Sequence, residues 1–129
     1  MQICSGEYWE VGLPDDWCCE TEDGCVVIHH PDGVGQLEIS ASEQPEAVTI
    51  DDLRYFARDQ IEHGVSPADV SCGAFSGIEL IYEHDDLFWH EWFLCHENIL
   101  FLASYTCPLG AEEKEEAMLD VIFATLKPR

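Results

Sequence analysis

The sequence predicts an α+β protein, a three-layer α/β/α sandwich whose mainly antiparallel sheet has six or seven strands and carries a helix on each face. Three observations predict it. Several short segments alternate apolar and polar residues, two-residue turns connect some of them, and two longer segments have helical periodicity instead. The chain has 129 residues, the size of one domain, and we expect a single domain over residues 1–129.

Seven segments have the pattern of strands. Residues 37–41 alternate strictly between apolar and polar, and Asp23-Gly24 is a strong hairpin signal between two further segments. Segments 88–95 and 99–106 are apolar on both faces, which predicts central strands covered on both sides. The predicted strands cover residues 8–11, 17–22, 25–30, 37–41, 76–83, 88–95 and 99–106.

Two helices are predicted, at residues 50–63 and 111–126. Thr49 and Asp52 have the spacing of a capping box, and Gly64 stands where a helix-ending glycine is expected. The second helix begins with acidic residues, which the positive end of a helix dipole favours. The apolar stripes are predicted at Ile50, Leu53, Phe56, Ala57, Gln60 and Ile61, and at Met118, Val121, Ile122, Thr125 and Leu126.

The charge of the chain narrows the classes of partner. Five Lys and Arg residues against 27 Asp and Glu residues give a net charge of −22. Nucleic acids and anionic membranes bind basic surfaces, so both are excluded as partners. Hydrophobic residues make up 47% of the chain, enough for a folded core. Three interpretations of the charge stay open: a solvated surface, a surface that attracts a basic protein partner, and adaptation to high salt.

Cysteines and the N-terminus indicate the compartment. The chain has seven cysteines, an odd number, with no C-x-x-C pair. We expect buried, reduced thiols that act as small hydrophobic residues. Residues 1–7 contain neither a basic start nor an apolar stretch, so we expect no signal peptide and a cytoplasmic protein.

A candidate binding face follows from the predicted register of the last three strands. Two-residue turns at Asp85-Asp86 and Glu97-Asn98 place Ile81, His90 and Tyr105 side by side, since opposite residues share a face. Aromatic rings, an imidazole and carboxylates on one face suit a cationic or amphipathic ligand. The candidate binding residues are therefore Glu79, Glu83, His90, Trp92 and Tyr105. The alternative is a structural His90, hydrogen-bonded to Tyr105 or a glutamate beneath a covering helix.

No other chemistry is predicted. His84, Asp85 and Asp86 share one turn, but three loop ligands fall short of a calcium cage, so we expect no metal site and no cofactor. The sequence contains no G-x-S-x-G, phosphate loop or dinucleotide glycine pattern. We therefore expect no catalytic residues, with a cysteine- or carboxylate-based hydrolase as a third-ranked alternative.

The order of elements resembles the PsbP-like (Mog/PsbP, DcrB-like) fold. The resemblance rests on Leu13-Pro14-Asp15-Asp16-Trp17, Pro31-Asp32-Gly33, residues 35–40 and residues 73–77, and it covers nearly the whole chain. It implies binding or assembly rather than catalysis and supplies no catalytic residues. We expect a non-enzymatic binding protein with a basic protein partner, such as an immunity protein or a secretion adaptor or chaperone. The alternative is a small-molecule-binding module that uses the His90, Trp92 and Tyr105 face.

Overall fold

The computed structural model describes residues 1–129 and is α+β, as predicted. Thirteen elements follow one another along the chain. They are β1 (Gln2–Ser5), β2 (Trp9–Leu13), β3 (Cys18–Glu22), β4 (Cys25–His29), β5 (Gln36–Glu43), α1 (Ile50–Phe56), α2 (Arg58–Glu62), β6 (Ala68–Cys72), β7 (Phe75–His84), β8 (Leu87–His96), β9 (Ile99–Pro108), α3 (Glu113–Ala124) and β10 (Lys127–Pro128).

The main sheet has seven strands in the order β3-β4-β5-β9-β8-β7-β6, and every neighbouring pair is antiparallel. The predicted antiparallel sheet is therefore confirmed. The predicted register is confirmed too, because His90 lies opposite both Ile81 and Tyr105. In the Glu97-Asn98 turn the positive φ falls on Glu97, at 54°. Positive φ at the first turn residue is the geometry of a type II′ turn.

Three strands were not predicted, and they change which segments form the main sheet. Predicted segment 8–11 is β2, which pairs with β1 and β10 in a separate three-stranded sheet. Its place in the main sheet is taken by β6, whose Ala-Asp-Val-Ser-Cys sequence gives little apolar alternation. The number of strands in the main sheet was therefore right, although one of its members was wrong.

Two apolar clusters lie on opposite faces of the main sheet, because side chains alternate along each strand. The larger cluster joins the sheet to α3 and to the small sheet; Phe101 contacts both Trp9 and Phe123 there. The smaller cluster places Leu53 and Ala57, in and just after α1, against Ile78, Leu80, Phe93 and Leu100. We call these the α3 face and the α1 face.

The helices match the predictions only in part. The predicted capping box is present, with Thr49 Oγ1 accepting from the Asp52 N–H and Asp52 Oδ2 accepting from the Thr49 N–H. The predicted helix 50–63 is broken at Ala57, and Ile50 and Phe56 are each 44% exposed. In α3 the buried residues are Glu115, Leu119, Ile122 and Phe123, whereas the predicted Val121 faces solvent.

A disulfide joins Cys4 of β1 to Cys19 of β3. The prediction of buried, reduced thiols is therefore wrong for this pair, while the other five are free thiols, of which only Cys72 and Cys107 are buried. The cause is β1, which was not predicted: by pairing with β2 it brings Cys4 to the edge strand of the main sheet. The bond thus links the small sheet to the large one.

Candidate functional site

The candidate binding residues lie at the centre of the α3 face. Glu79 on β7 lies opposite Trp92 on β8, and His90 on β8 lies opposite Tyr105 on β9. The two-residue turns fix this arrangement, since a slip of one residue would move every one of these side chains to the other face. Four of the five predicted residues, Glu79, His90, Trp92 and Tyr105, line one cavity.

The His90 ring is held on both its edge and its face. Its Nε2 lies 2.9 Å from Glu79 Oε2, and the two side chains are 16% and 25% exposed. The His90 ring stacks on Trp92 with centroids 3.8 Å apart, and Trp92 stacks on Phe123 of α3 at 4.2 Å. His90 therefore bonds to a glutamate, as the structural alternative allowed, while part of its ring still faces solvent.

Tyr105 is not the exposed aromatic residue that the predicted binding face would present to a ligand. It is 1% exposed, and its hydroxyl donates to Glu115 Oε1 at 2.7 Å. The same oxygen accepts the Gly35 N–H at 2.9 Å, so one buried carboxylate ties α3 to β9 and to the loop before β5. Burial, and then the bond to Glu115, raise the pKa of the Tyr105 hydroxyl. A Cβ at Gly35 would overlap the Tyr105 ring, which explains the glycine there.

A cavity of about 320 Å³ opens between His90 and α3, and we call it the His90 cavity. Ile81 and Phe88 give it apolar walls, and its lining contains no Lys or Arg. Five carboxylates line it, one from the sheet, one from the N-cap of α3 and three from α3 itself: Glu79, Glu112, Glu113, Glu116 and Asp120. The site is therefore concave, partly apolar and strongly acidic, and α3 does not seal it.

Comparisons with known proteins bear on the fold. A protein from Bacteroides thetaiotaomicron matches with a TM-score of 0.72 and 24% identity, over 94% of this chain and 45% of that one. Cyanobacterial PsbP (CyanoP) from Synechocystis sp. PCC 6803 matches at 0.62 and 13% identity, over 99% and 92% of the two chains. LpqN, involved in cell envelope biogenesis of Mycobacterium tuberculosis, matches at 0.58 and 13%, over 93% and 82%.

The chain has a PsbP-like fold. The resemblance predicted from Leu13–Trp17 and the glycine-containing turns is thereby confirmed at the level of fold. Neither a protein-family model nor a curated protein matches the sequence. This chain spans less than half the length of the Bacteroides protein, and identities this low carry no residue roles across.

Glu83 does not reach the His90 cavity of this PsbP-like chain. It lines a neighbouring cavity of about 440 Å³ together with Asp59, Gln60, His63, Val65, Tyr82 and His84. The register puts Glu83 on the same face as His90, but Glu83 lies next to the last residue of β7 and is exposed. Of the predicted site, only Glu83 is therefore placed elsewhere.

Sequence reasoning missed the acidic residues that α3 contributes. Glu112, Glu113 and Glu116 were interpreted as favourable charges at a helix N-terminus, which is a local explanation that needs no site. Buried Glu115 was missed as well. The signal that could have found them is the spacing of Glu112, Glu116 and Asp120, each four residues apart and therefore on one face of a helix.

Two features are absent from the structure, a clustered metal site and a membrane-spanning helix. No group of three or more His, Cys, Asp and Glu side chains is placed to hold a metal ion. No helix combines the length and the apolar character that crossing a membrane requires.

Proposed function

We propose that this chain is a non-enzymatic binding protein that recognises a basic partner protein, and that the His90 cavity receives a Lys or Arg side chain of that partner. The observation that carries the proposal is the set of five carboxylates around one concave site with no Lys or Arg in its lining. An immunity protein and a secretion adaptor or chaperone are the concrete versions we favour. The scaffold is taken to be a three-layer sandwich with a helix on each face.

The chemistry of the cavity suits a long basic side chain. The aliphatic stem of Lys or Arg can lie against Ile81 and Phe88, while the cationic head reaches the carboxylates of α3. Complementary charge also speeds the encounter of two proteins, and salt weakens that effect. The His90 ring, backed by Trp92 and Phe123, provides a flat surface beside the head group.

A free small molecule with a cationic group is the second candidate ligand. The cavity volume of about 320 Å³ lies at the lower end of the range of small-molecule pockets. The same carboxylates would bind an amine whether it comes from a metabolite or from a protein side chain. A cytoplasmic location stays a proposal, and the Cys4–Cys19 disulfide argues against it because disulfides are typical of oxidising compartments.

Titration of Arg- and Lys-containing peptides tests the proposal. We expect Gly-Arg-Gly and Gly-Lys-Gly amides to bind saturably, observed as chemical-shift changes at His90 and the Trp92 indole. The doubly substituted variant Glu116→Gln, Asp120→Asn removes two exposed carboxylates of the cavity and should weaken binding about tenfold, because each lost contact of an exposed carboxylate with a cation costs about 0.7 kcal/mol. Butylammonium serves as the small-molecule probe.

The control variant Asp32→Asn, Glu97→Gln makes the same charge change at exposed turns outside the cavity. It should change the affinity less than twofold. Equal weakening by both double variants, or no saturable shift with any cation, would contradict the proposal. Tighter binding of butylammonium than of either peptide would favour the small-molecule candidate.

A further inference from the structure

We infer that a proton on His90 competes with the cationic group that binds in the His90 cavity, so that this chain releases its partner as the pH falls. The inference rests on the proposed function, because it concerns the same cavity. It adds a form of regulation to that function. The signal is acidification from about pH 8 to about pH 5.5, the range in which imidazoles ordinarily change charge.

The hydrogen bond to Glu79 fixes which nitrogen of the neutral His90 ring carries the hydrogen. A carboxylate only accepts hydrogen bonds, so Nε2, which lies 2.9 Å from Glu79 Oε2, is the donor and Nδ1 is left as an acceptor. Protonation keeps the bond to Glu79 and turns Nδ1 into a second donor. Trp92 also stacks on the ring, with centroids 3.8 Å apart. The charge of His90 can therefore change while the ring stays at the cavity.

A protonated His90 opposes a bound cation for two reasons. The head groups of Lys and Arg carry only donors, so they can donate to the neutral ring but not to the protonated one. The imidazolium also repels a cation in the same cavity, and the His90 side chain, at 16% exposed, is screened less than a fully exposed charge. Linkage is reciprocal, so a bound cation disfavours the proton equally. The affinity for a cation should therefore rise with pH, and binding should release protons.

His90 is the one histidine in the lining of the cavity. The other titratable groups on its face of the sheet and in the packed helix are Glu79 and, further along, Glu83 on β7, Tyr105 and Cys107 on β9, and Glu112, Glu113, Glu115, Glu116 and Asp120 before and within α3. Burial raises the pKa of the Tyr105 hydroxyl and of the Cys107 thiol, which keeps both neutral in this range. Asp and Glu side chains ordinarily change charge below about pH 5. The change of charge between the two pH values is therefore that of His90.

The affinity for one peptide at two pH values tests the inference. N-acetyl-Gly-Arg-Gly amide carries a single guanidinium charge, which does not titrate in this range. We expect it to bind about fivefold more weakly at about pH 5.5 than at about pH 8, the effect of one interaction between partly exposed charges, followed at the Trp92 indole signal. Calorimetry in buffers of different ionisation enthalpy, at about pH 6.5, should show that binding releases protons. Proton uptake, or no proton exchange, would overturn the inference.

Two matched histidine variants assign the pH dependence to one ring. His90→Gln cannot take up a proton, so its affinities at the two pH values should agree within twofold. His63→Gln replaces an exposed histidine outside the His90 cavity and should keep the ratio of the unchanged protein. Circular dichroism shows that both variants are folded. Equal affinity of the unchanged protein at both pH values, or the same ratio in His90→Gln, would overturn this inference and leave the proposed function standing. No saturable binding at either pH would overturn both.

Discussion

The two faces of the main sheet differ in their apolar packing: one shares the larger cluster with residues of α3 and the small sheet, and the other shares the smaller cluster with Leu53 and Ala57. On the α3 face, Phe75, Leu94 and Phe101 are fully buried in one cluster with residues of α3 and the small sheet. On the α1 face, burial around Leu53 gives way to Glu38, Ser104 and Glu91 at the centre of the sheet. The two faces of one sheet therefore hold acidic residues in different ways.

This difference predicts unequal effects of substitutions on the stability of the protein. Acids on the α3 face stand at the edge of a dense core, and one of them, Glu115, is built into it by bonds to Tyr105 and Gly35. Acids on the α1 face, such as Glu20 and Glu38, have no cationic partner in the chain. Buried polar groups that lose a partner cost stability, whereas exposed ones cost little. Substitutions on the two faces should therefore have different consequences.

The largest effect is expected from a matched pair of leucines on neighbouring strands. Leu94 is fully buried on the α3 face, and Leu102 is half-buried on the α1 face. Leu94→Ala leaves a cavity in the larger cluster and should lower the free energy of unfolding by about 2–5 kcal/mol. Leu102→Ala removes less buried apolar area and should cost about 1 kcal/mol. Urea denaturation measures both, and equal losses would mean that the α1 face is covered in solution.

A matched pair of tyrosines gives a smaller effect. Tyr105 on the α3 face and Tyr82 on the α1 face each donate to a glutamate at 2.7 Å. Tyr105→Phe leaves buried Glu115 with one bond fewer and should cost about 1–3 kcal/mol. Tyr82→Phe should cost about 0.5 kcal/mol, because half-buried Glu91 keeps the Gln60 donor and can reach water.

The pH dependence of unfolding sharpens the tyrosine comparison. Burial and the bond to Glu91 raise the pKa of Tyr82 to about 12 from 10.0, and the pKa of Tyr105 is raised as well. Unfolded tyrosines ionise first, so the stability that these neutral hydroxyls provide is complete below pH 10 and is lost as the pH rises from there. Tyr105→Phe should therefore reduce the slope with which the free energy of unfolding decreases above pH 10. An unchanged slope would show that Tyr105 is not buried.

The parts of this fold that could be predicted depend on local signals. The β7–β8–β9 register follows from two short turns and period-two alternation, and all of its pairs were right. The parts that were missed depend on distant contacts. Glu115 interrupts the apolar stripe of α3. Its buried carboxylate is accommodated there because it accepts hydrogen bonds from Tyr105 and Gly35, which are distant in the sequence. The Cys4–Cys19 bond joins two sheets, and no spacing rule predicts such a pair.

Thiol reactivity tests the same comparison without changing stability. Cys18 and Cys25 lie on the α1 face and are half-exposed, whereas Cys72 and Cys107 are buried on the α3 face. Burial raises the pKa of Cys72 to about 11 and also raises the pKa of Cys107 and Cys95. Because the thiolate is the nucleophile, we expect Cys18 and Cys25 to react first with an aromatic disulfide reagent near pH 8. The Cys18→Ser variant should lose one rapidly reacting thiol and the Cys72→Ser variant one slowly reacting thiol, which assigns the two phases of the reaction.

The number of thiols in the unfolded protein tests the disulfide in the same experiment. Denaturation without reductant should expose the five free cysteines, and reductant should add Cys4 and Cys19. Seven reactive thiols before reduction would mean that β1 is not fastened to the edge of the main sheet. Rapid modification of Cys72 in the folded protein would mean that the α3 face opens as easily as the α1 face, and the distinction between a densely packed face and a less densely packed one would not hold.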